Sequence, residues 1–233
     1  MRVNESGRSM IEMLGVLAII GVLSVGGIAG YSKAMNKFKT NKVADNVSMI
    51  VANVKTLYAQ QNTYDGLNNG TAVSMGVIPD ELGTVYSGTG SSATATLTNA
   101  FNGRVFIKQS NSTTASPADG KAFIIEFNNL SREACITLAT NDWGSGYSSG
   151  LIAIRAAGTS SSTTATAMNT ALDNVMIGNA GTKASGASAT ADGGSAIATP
   201  GGSALSVPMS VVQAAQACGC IKGNNCSIQW KYY

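Results

Sequence analysis

The sequence predicts an α+β chain, in which a long N-terminal helix, half membrane-length and half amphipathic, packs on an antiparallel β-sheet head. Three observations predict it. Residues 13–30 are apolar apart from Ser24. Residues 31–61 contain neither proline nor glycine, and their apolar side chains recur at helical spacing. Beyond Gly66 short β-rich runs alternate with loops.

The first element is the apolar segment. At about 1.5 Å rise per residue, 18 helical residues span most of a bilayer's hydrocarbon core. A lone carboxylate, Glu12, stands at its mouth, five positions after Gly7. An acidic residue in hydrocarbon costs roughly 2.5–3.5 kcal/mol on insertion scales, so something must neutralise it. The competing readings are a secretory signal peptide cut near Ala29 and a plain signal anchor. Glu12 argues against both, as does the helical pattern that runs on without a break.

Gly7, the short leader before it, Glu12 and the apolar helix together resemble the N-terminus of type IV prepilins and pseudopilins. The resemblance implies cleavage after Gly7 by a membrane-embedded prepilin peptidase and methylation of the new amine on Arg8. Arg8 stands where the family usually has Phe or Met. Glu12 becomes the fifth mature residue. In a filament it would pair with the α-amine of a neighbouring subunit's Arg8, which offsets its burial and sets the stagger. The implied fold is the type IV pilin fold. Its parts are a leader (1–7), a transmembrane or filament-core helix (8–30), an amphipathic stalk helix (31–62) and a globular α+β head (63–233) with a disulfide-stapled C-terminal region. Gly15, Gly21, Gly26, Gly27 and Gly30 suit close packing between helices or local melting during assembly, and membrane helices also simply tolerate glycine.

The stalk stripe runs through Tyr31, Met35, Phe38, Val43, Val47, Ile50, Val51, Val54, Leu57 and Tyr58, and Asn62, Tyr64, Asp65 and Gly66 supply its stop. Lys33, Lys37, Lys39 and Lys42 follow the apolar segment. With a cytoplasmic leader they lie outside, against the positive-inside bias. They suit either acidic groups of neighbouring subunits or a solvated helix face.

In the head, residues 104–109 and 121–127 read as antiparallel neighbours, and 151–155, 174–177 and 227–233 as further strands. Residues 131–140 read as a helix capped by Ser131, and 207–218 as a helix that opens with Pro208 and ends at Gly219. The Gly/Ala/Ser/Thr-rich stretch 178–203 reads as a mobile surface loop.

Four cysteines in an exported chain favour disulfides over metal ligands. Of three complete pairings, the one that closes Cys218 on Cys220 needs a very tight ring. Cys135–Cys218 with Cys220–Cys226 is preferred, and Cys135–Cys220 with Cys218–Cys226 stays open. The layout resembles the stapled C-terminal region of type IV pilins. The helix-borne Cys135, the helix-ending Cys218 and the chain's size look most like the type IVb branch, while the short leader suits type IVa.

No enzyme is expected. The chain has no histidine, which removes Ser-His-Asp and Cys-His nucleophiles and His-ligated metals. The acidic residues are dispersed, with no Asp-x-Asp spacing, and Asp80-Glu81 reads as surface after Pro79. Cys218-Gly-Cys220 lacks the two-residue spacer of redox motifs, and no cofactor is implied. Charged residues are 12% of the chain and the net charge is +3, so nucleic acid is not expected as a partner of a major pilin. Trp143 reads as a buried anchor, and Tyr232 and Tyr233 as strand residues or a contact surface.

The reading is a structural subunit of a bacterial type IV pilus. It is an inner-membrane precursor first and an extracellular fimbrium afterwards. Its partners are identical or homologous pilins, the prepilin peptidase, the inner-membrane assembly machinery and, before assembly, the membrane itself. The alternatives are a minor pilin acting as tip adhesin or DNA-binding module, and a pseudopilin of a type II secretion system.

Overall fold

The computed structural model describes residues 8–87, 94–113, 119–144, 149–158, 167–185, 193–220, 223 and 225–233. Two compact units divide the chain, Met1–Phe38 and Lys39–Tyr233.

Helix α1 runs from Arg8 to Leu57 without interruption through all five glycines of its apolar half. Its last turn tightens, with Ala59 N–H donating to Thr56 O, and Gly66 then turns the chain at a φ of 74°. The helix thus ends four residues before Gln61. Within the head, Val43, Val47, Ile50, Val54 and Tyr58 are buried on one stripe. Five such side chains at about 2 kcal/mol each give on the order of 10 kcal/mol of gross burial. The expected stripe is wider than the buried one: Tyr31, Phe38 and Leu57 stay exposed.

A single sheet holds the described strands β1 (Gly83–Ser87), β2 (Thr94–Thr98), β3 (Arg104–Ser110), β4 (Ala122–Leu130), β5 (Leu151–Gly158), β6 (Thr182–Ser185), β7 (Gly194–Ala198) and β8 (Cys226–Tyr232). Its order is β1-β2-β3-β4-β8-β5-β7-β6, antiparallel throughout. The C-terminal strand therefore sits at the centre, between β4 and β5. Short helices α2 (Asn69–Ser74), α3 (Arg132–Thr140) and α4 (Val211–Ala217) complete the head, each with a side-chain N-cap: Asn68, Ser131 and Ser210.

The hairpin expected from 104–127 is β3–β4, in register from Val105 opposite Phe127 to Ser110 opposite Ala122. Three expectations need correction. Residues 174–177 form turns and coil, not a strand. Val175 is buried there without entering the ladder, against Ala122, Ile124 and Ile152. The described parts of the stretch 178–203 are not simply a loop, because they contribute β6 and β7 to the sheet, and residues 186–192 lie outside the described residues. The helix expected from 207 starts at Val211, since Met209 N–H is spent on Ala139 O and Ser210 caps the turn that follows.

Candidate functional site

The candidate assembly element is the apolar half of α1. Met10, Ile11, Met13, Leu14, Val16 and Leu17 are exposed by half or more, as are Ile19, Ile20, Val22, Leu23, Val25 and Ile28. Unpartnered aliphatic surface of this extent needs lipid or another protein to cover it. Among the described residues this helix is long and apolar enough to cross a membrane. Glu12 sits one turn into it and is exposed. Gly7 lies outside the described residues, as does the side chain of Arg8.

The second half of α1 is clamped to the head. Besides the apolar stripe, Lys55 Nζ donates to Ser149 O at 3.1 Å and stands 5.2 Å from the Tyr232 ring centroid. Burial pushes the Lys55 ammonium below its usual range. Lys42 pairs with Glu81 at 3.5 Å on the surface, and Lys39 lies 5.7 Å from the Phe101 ring centroid. Asn53 donates to Val77 O at 3.1 Å.

The cysteines meet in one corner. Cys135 in α3 is bonded to Cys218 at the end of α4, with Cα atoms 5.9 Å apart. Cys220 is bonded to Cys226, the first residue of the central strand β8, with Cα atoms 5.5 Å apart. All four are buried, and all four sulfurs are committed to bonds, so none is available to a metal. Between the two bridges, Gly219 passes against the end of β5. A Cβ on Gly158 would come within 2.5 Å of the Gly219 backbone, and Gly193 N–H donates to Gly219 O at 2.7 Å. Residues 218–220 are thus held covalently at both ends and by backbone contact at Gly219 between them.

Trp230 of β8 is fully buried between Phe127 and Trp143, at centroid distances of 6.0 and 5.1 Å. Trp143 is partly buried, and its indole N–H donates to Leu138 O at 2.7 Å. Tyr232 is buried against Phe123, which removes it from any contact surface; Tyr233 remains 41% exposed.

The sequence reading missed a polar network on the sheet face opposite α1. Glu126, Gln229 and Arg155 stand side by side on β4, β8 and β5, with Lys231 one pleat away. The segment 167–177 covers them. Glu126 Oε2 accepts from Asn169 N–H at 2.7 Å and from Gln229 Nε2 at 2.8 Å. Lys231 Nζ donates to Leu172 O at 2.9 Å and to Asp173 O at 3.2 Å, and Lys108 pairs with Asp173 at 2.7 Å. Burial raises the Glu126 carboxyl, opposed by these donors and by Arg155. Burial lowers the Lys231 ammonium to about 8, against the pull of Asp173 and Asp119. The sequence marked 227–233 as a strand but gave no sign that this polar face is covered.

Asp119 pins the β3–β4 connection. Its carboxylate accepts from Ser112 N–H at 2.8 Å, Ser112 Oγ at 2.6 Å and Thr113 Oγ1 at 3.0 Å. Burial alone would raise this carboxyl, but the donors outweigh it and hold it at about 2.

Comparison with known proteins places this architecture. The family model described as "PilS N terminal" matches residues 37–225. The "Major structural subunit of bundle-forming pilus" of Escherichia coli O127:H6 is 27% identical over 140 residues, which are 60% of this chain and 66% of that protein. The subunit of the same description from Escherichia coli O111:H- matches equally. The chain thus spans just under two thirds of the length of these curated relatives. Among solved structures, a type IV b pilin from Salmonella typhi is 15% identical, with a TM-score of 0.45, covering 81% of this chain and 95% of that one. TcpA, a type IV pilin from Vibrio cholerae El Tor biotype, is 18% identical, with a TM-score of 0.46, covering 84% and 99%. With most of its length matched by that family model, the chain belongs to the PilS N-terminal family of type IV pilins.

Proposed function

We propose that the chain is a structural pilin subunit, made as a prepilin and assembled into a type IV pilus through the apolar half of α1. The exposed aliphatic surface from Met10 to Ile28, interrupted by a single acid, is the observation that carries the reading. Residues 13–30 hold the precursor in the bacterial inner membrane. A prepilin peptidase cuts after Gly7, freeing an α-amine on Arg8. Glu12 then pairs with the Arg8 amine of a neighbouring subunit. The carboxylate loses its burial penalty only when that partner is in place, so correct stagger and neutralisation coincide. The name of the Escherichia coli relatives supports a major subunit. The bond between helix-borne Cys135 and helix-ending Cys218 supports the type IVb branch. The head, stapled at its C-terminal corner, faces outward.

Shearing fibres from the native host and taking intact and N-terminal masses of their most abundant protein tests this. The expected species begins at N-methylated Arg8 and is lighter by the four hydrogens of its two disulfides. A chain left uncut at Gly7, or cut near Ala29, would overturn the reading.

A further inference from the structure

Lys33 and Lys37 have no part in anything described so far. Both are exposed, and neither makes a hydrogen bond or ion pair to a described residue. Lys39 and Lys42, by contrast, are taken up by Phe101 and Glu81. No acidic residue lies between Glu12 and Asp45, so nothing nearby in the chain compensates their charge.

Their position along α1 is informative. They stand three and seven residues past Gly30, about 5 and 10 Å along the helix axis. The headgroup layer on each side of a bilayer is roughly 5–8 Å deep, and a lysine stem reaches back along the helix. Both ammonium groups therefore fall at phosphate level when residues 13–30 fill the hydrocarbon. The two lysines share one side of the helix, about 40° apart, while Tyr31 and Phe38, 66% and 60% exposed, stand about 100–160° around it from them. Directly after an apolar segment of 18 residues, cations and aromatics at this depth suit a helix that leaves the bilayer through its interface.

We propose that Lys33 and Lys37 bind anionic phospholipid headgroups of the leaflet through which α1 leaves the bilayer, with Tyr31 and Phe38 seated at the same interface. The inference rests on the membrane-anchored precursor proposed above and adds the lipid class to it. It also accounts for a basic cluster on the side that the positive-inside bias would leave neutral. The lysines there hold the precursor at its working depth until extraction.

The test uses the full chain in phosphatidylcholine vesicles containing spin-labelled phosphatidylglycerol or phosphatidylcholine. The relative association of the two probes is read by electron spin resonance. The wild-type chain is expected to prefer phosphatidylglycerol. Removing each lysine should weaken the preference about fivefold, so K33Q/K37Q falls well below wild type while K33R/K37R retains it. Arg2 and Arg8, at the other end of the segment, contribute equally to every variant. Inorganic phosphate at matched ionic strength should leave the preference unchanged, and displacement by it would overturn a bilayer-bound site. An unchanged preference in K33Q/K37Q overturns the proposal. So does a loss of filaments in that variant with its lipid preference intact, which would assign the lysines to neighbouring subunits. Protease protection of residues 13–30 in the same vesicles separates the two failures. Without protection the anchor reading falls; with protection and no effect of the lysines, only this inference does.

Discussion

Removing the Cys135–Cys218 bridge should cost about twice what removing Cys220–Cys226 costs. The first closes a separation of 83 residues and the second a separation of 6. On the chain-entropy model these loops contribute about 4.5 and about 2.2 kcal/mol at room temperature. The substitutions should be C135A/C218A and C220A/C226A. All four positions are buried, and a serine hydroxyl without a partner would add a desolvation cost unrelated to the loop. Urea titration of the full chain in detergent, followed by Trp fluorescence, is a suitable assay because Trp230 and Trp143 pack against each other in the head. With a slope of about 2 kcal/mol per molar, the midpoint should drop by about 2 M for the first pair and about 1 M for the second. Equal losses, or a larger loss for the short loop, would refute the loop-entropy argument and place the stabilisation in local packing.

Three further outcomes are expected. Lys231 is held at about 8 by burial, below its unfolded value near 10.4, so the fold favours its neutral form. Its contribution is therefore present above pH 10.4 and lost as pH falls through 8. Wild-type stability should rise from pH 8 to pH 10 more steeply than that of K231M, and parallel midpoint curves would contradict this. Asn46 is buried on α1 with neither side-chain polar atom hydrogen-bonded, so Asn46→Leu should raise the midpoint by the equivalent of about 1–2 kcal/mol. A drop would mean that the amide has a partner. Gly158→Ala drives a methyl into the Gly219 backbone, which two disulfides prevent from yielding, and should cost about 1–3 kcal/mol. An unchanged thermal midpoint would show that the connection is slack.

The parts legible in the sequence are those whose signal is local. The continuous helix needed only the apolar run and the unbroken stripe from Val43 to Tyr58. The β3–β4 hairpin showed in two β-rich runs, 104–109 and 121–127, separated by a polar connection. Glu12 stood out because a charge in an apolar run is costly wherever the chain folds. Strands β6 and β7 gave no such signal, since Thr-Lys-Ala-Ser and Gly-Ser-Ala-Ile-Ala have little intrinsic strand preference. They are strands because β5 offers an edge and β7 then offers the next, so tertiary pairing overrides propensity. Val175 failed in the opposite sense, apolar and buried but outside the ladder. The Glu126–Gln229–Lys231 network was illegible because its cover, residues 167–177, lies more than 40 residues from Glu126 and more than 50 from Lys231 in the chain.

A cryo-electron microscopy map of the filament tests the central claim most directly. The account predicts the apolar halves of α1 bundled in the fibre core, with the Glu12 carboxylate within about 4 Å of the α-amine of Arg8 in a neighbouring subunit. Glu12 facing solvent, or residues 13–30 lying on the fibre surface, would contradict it.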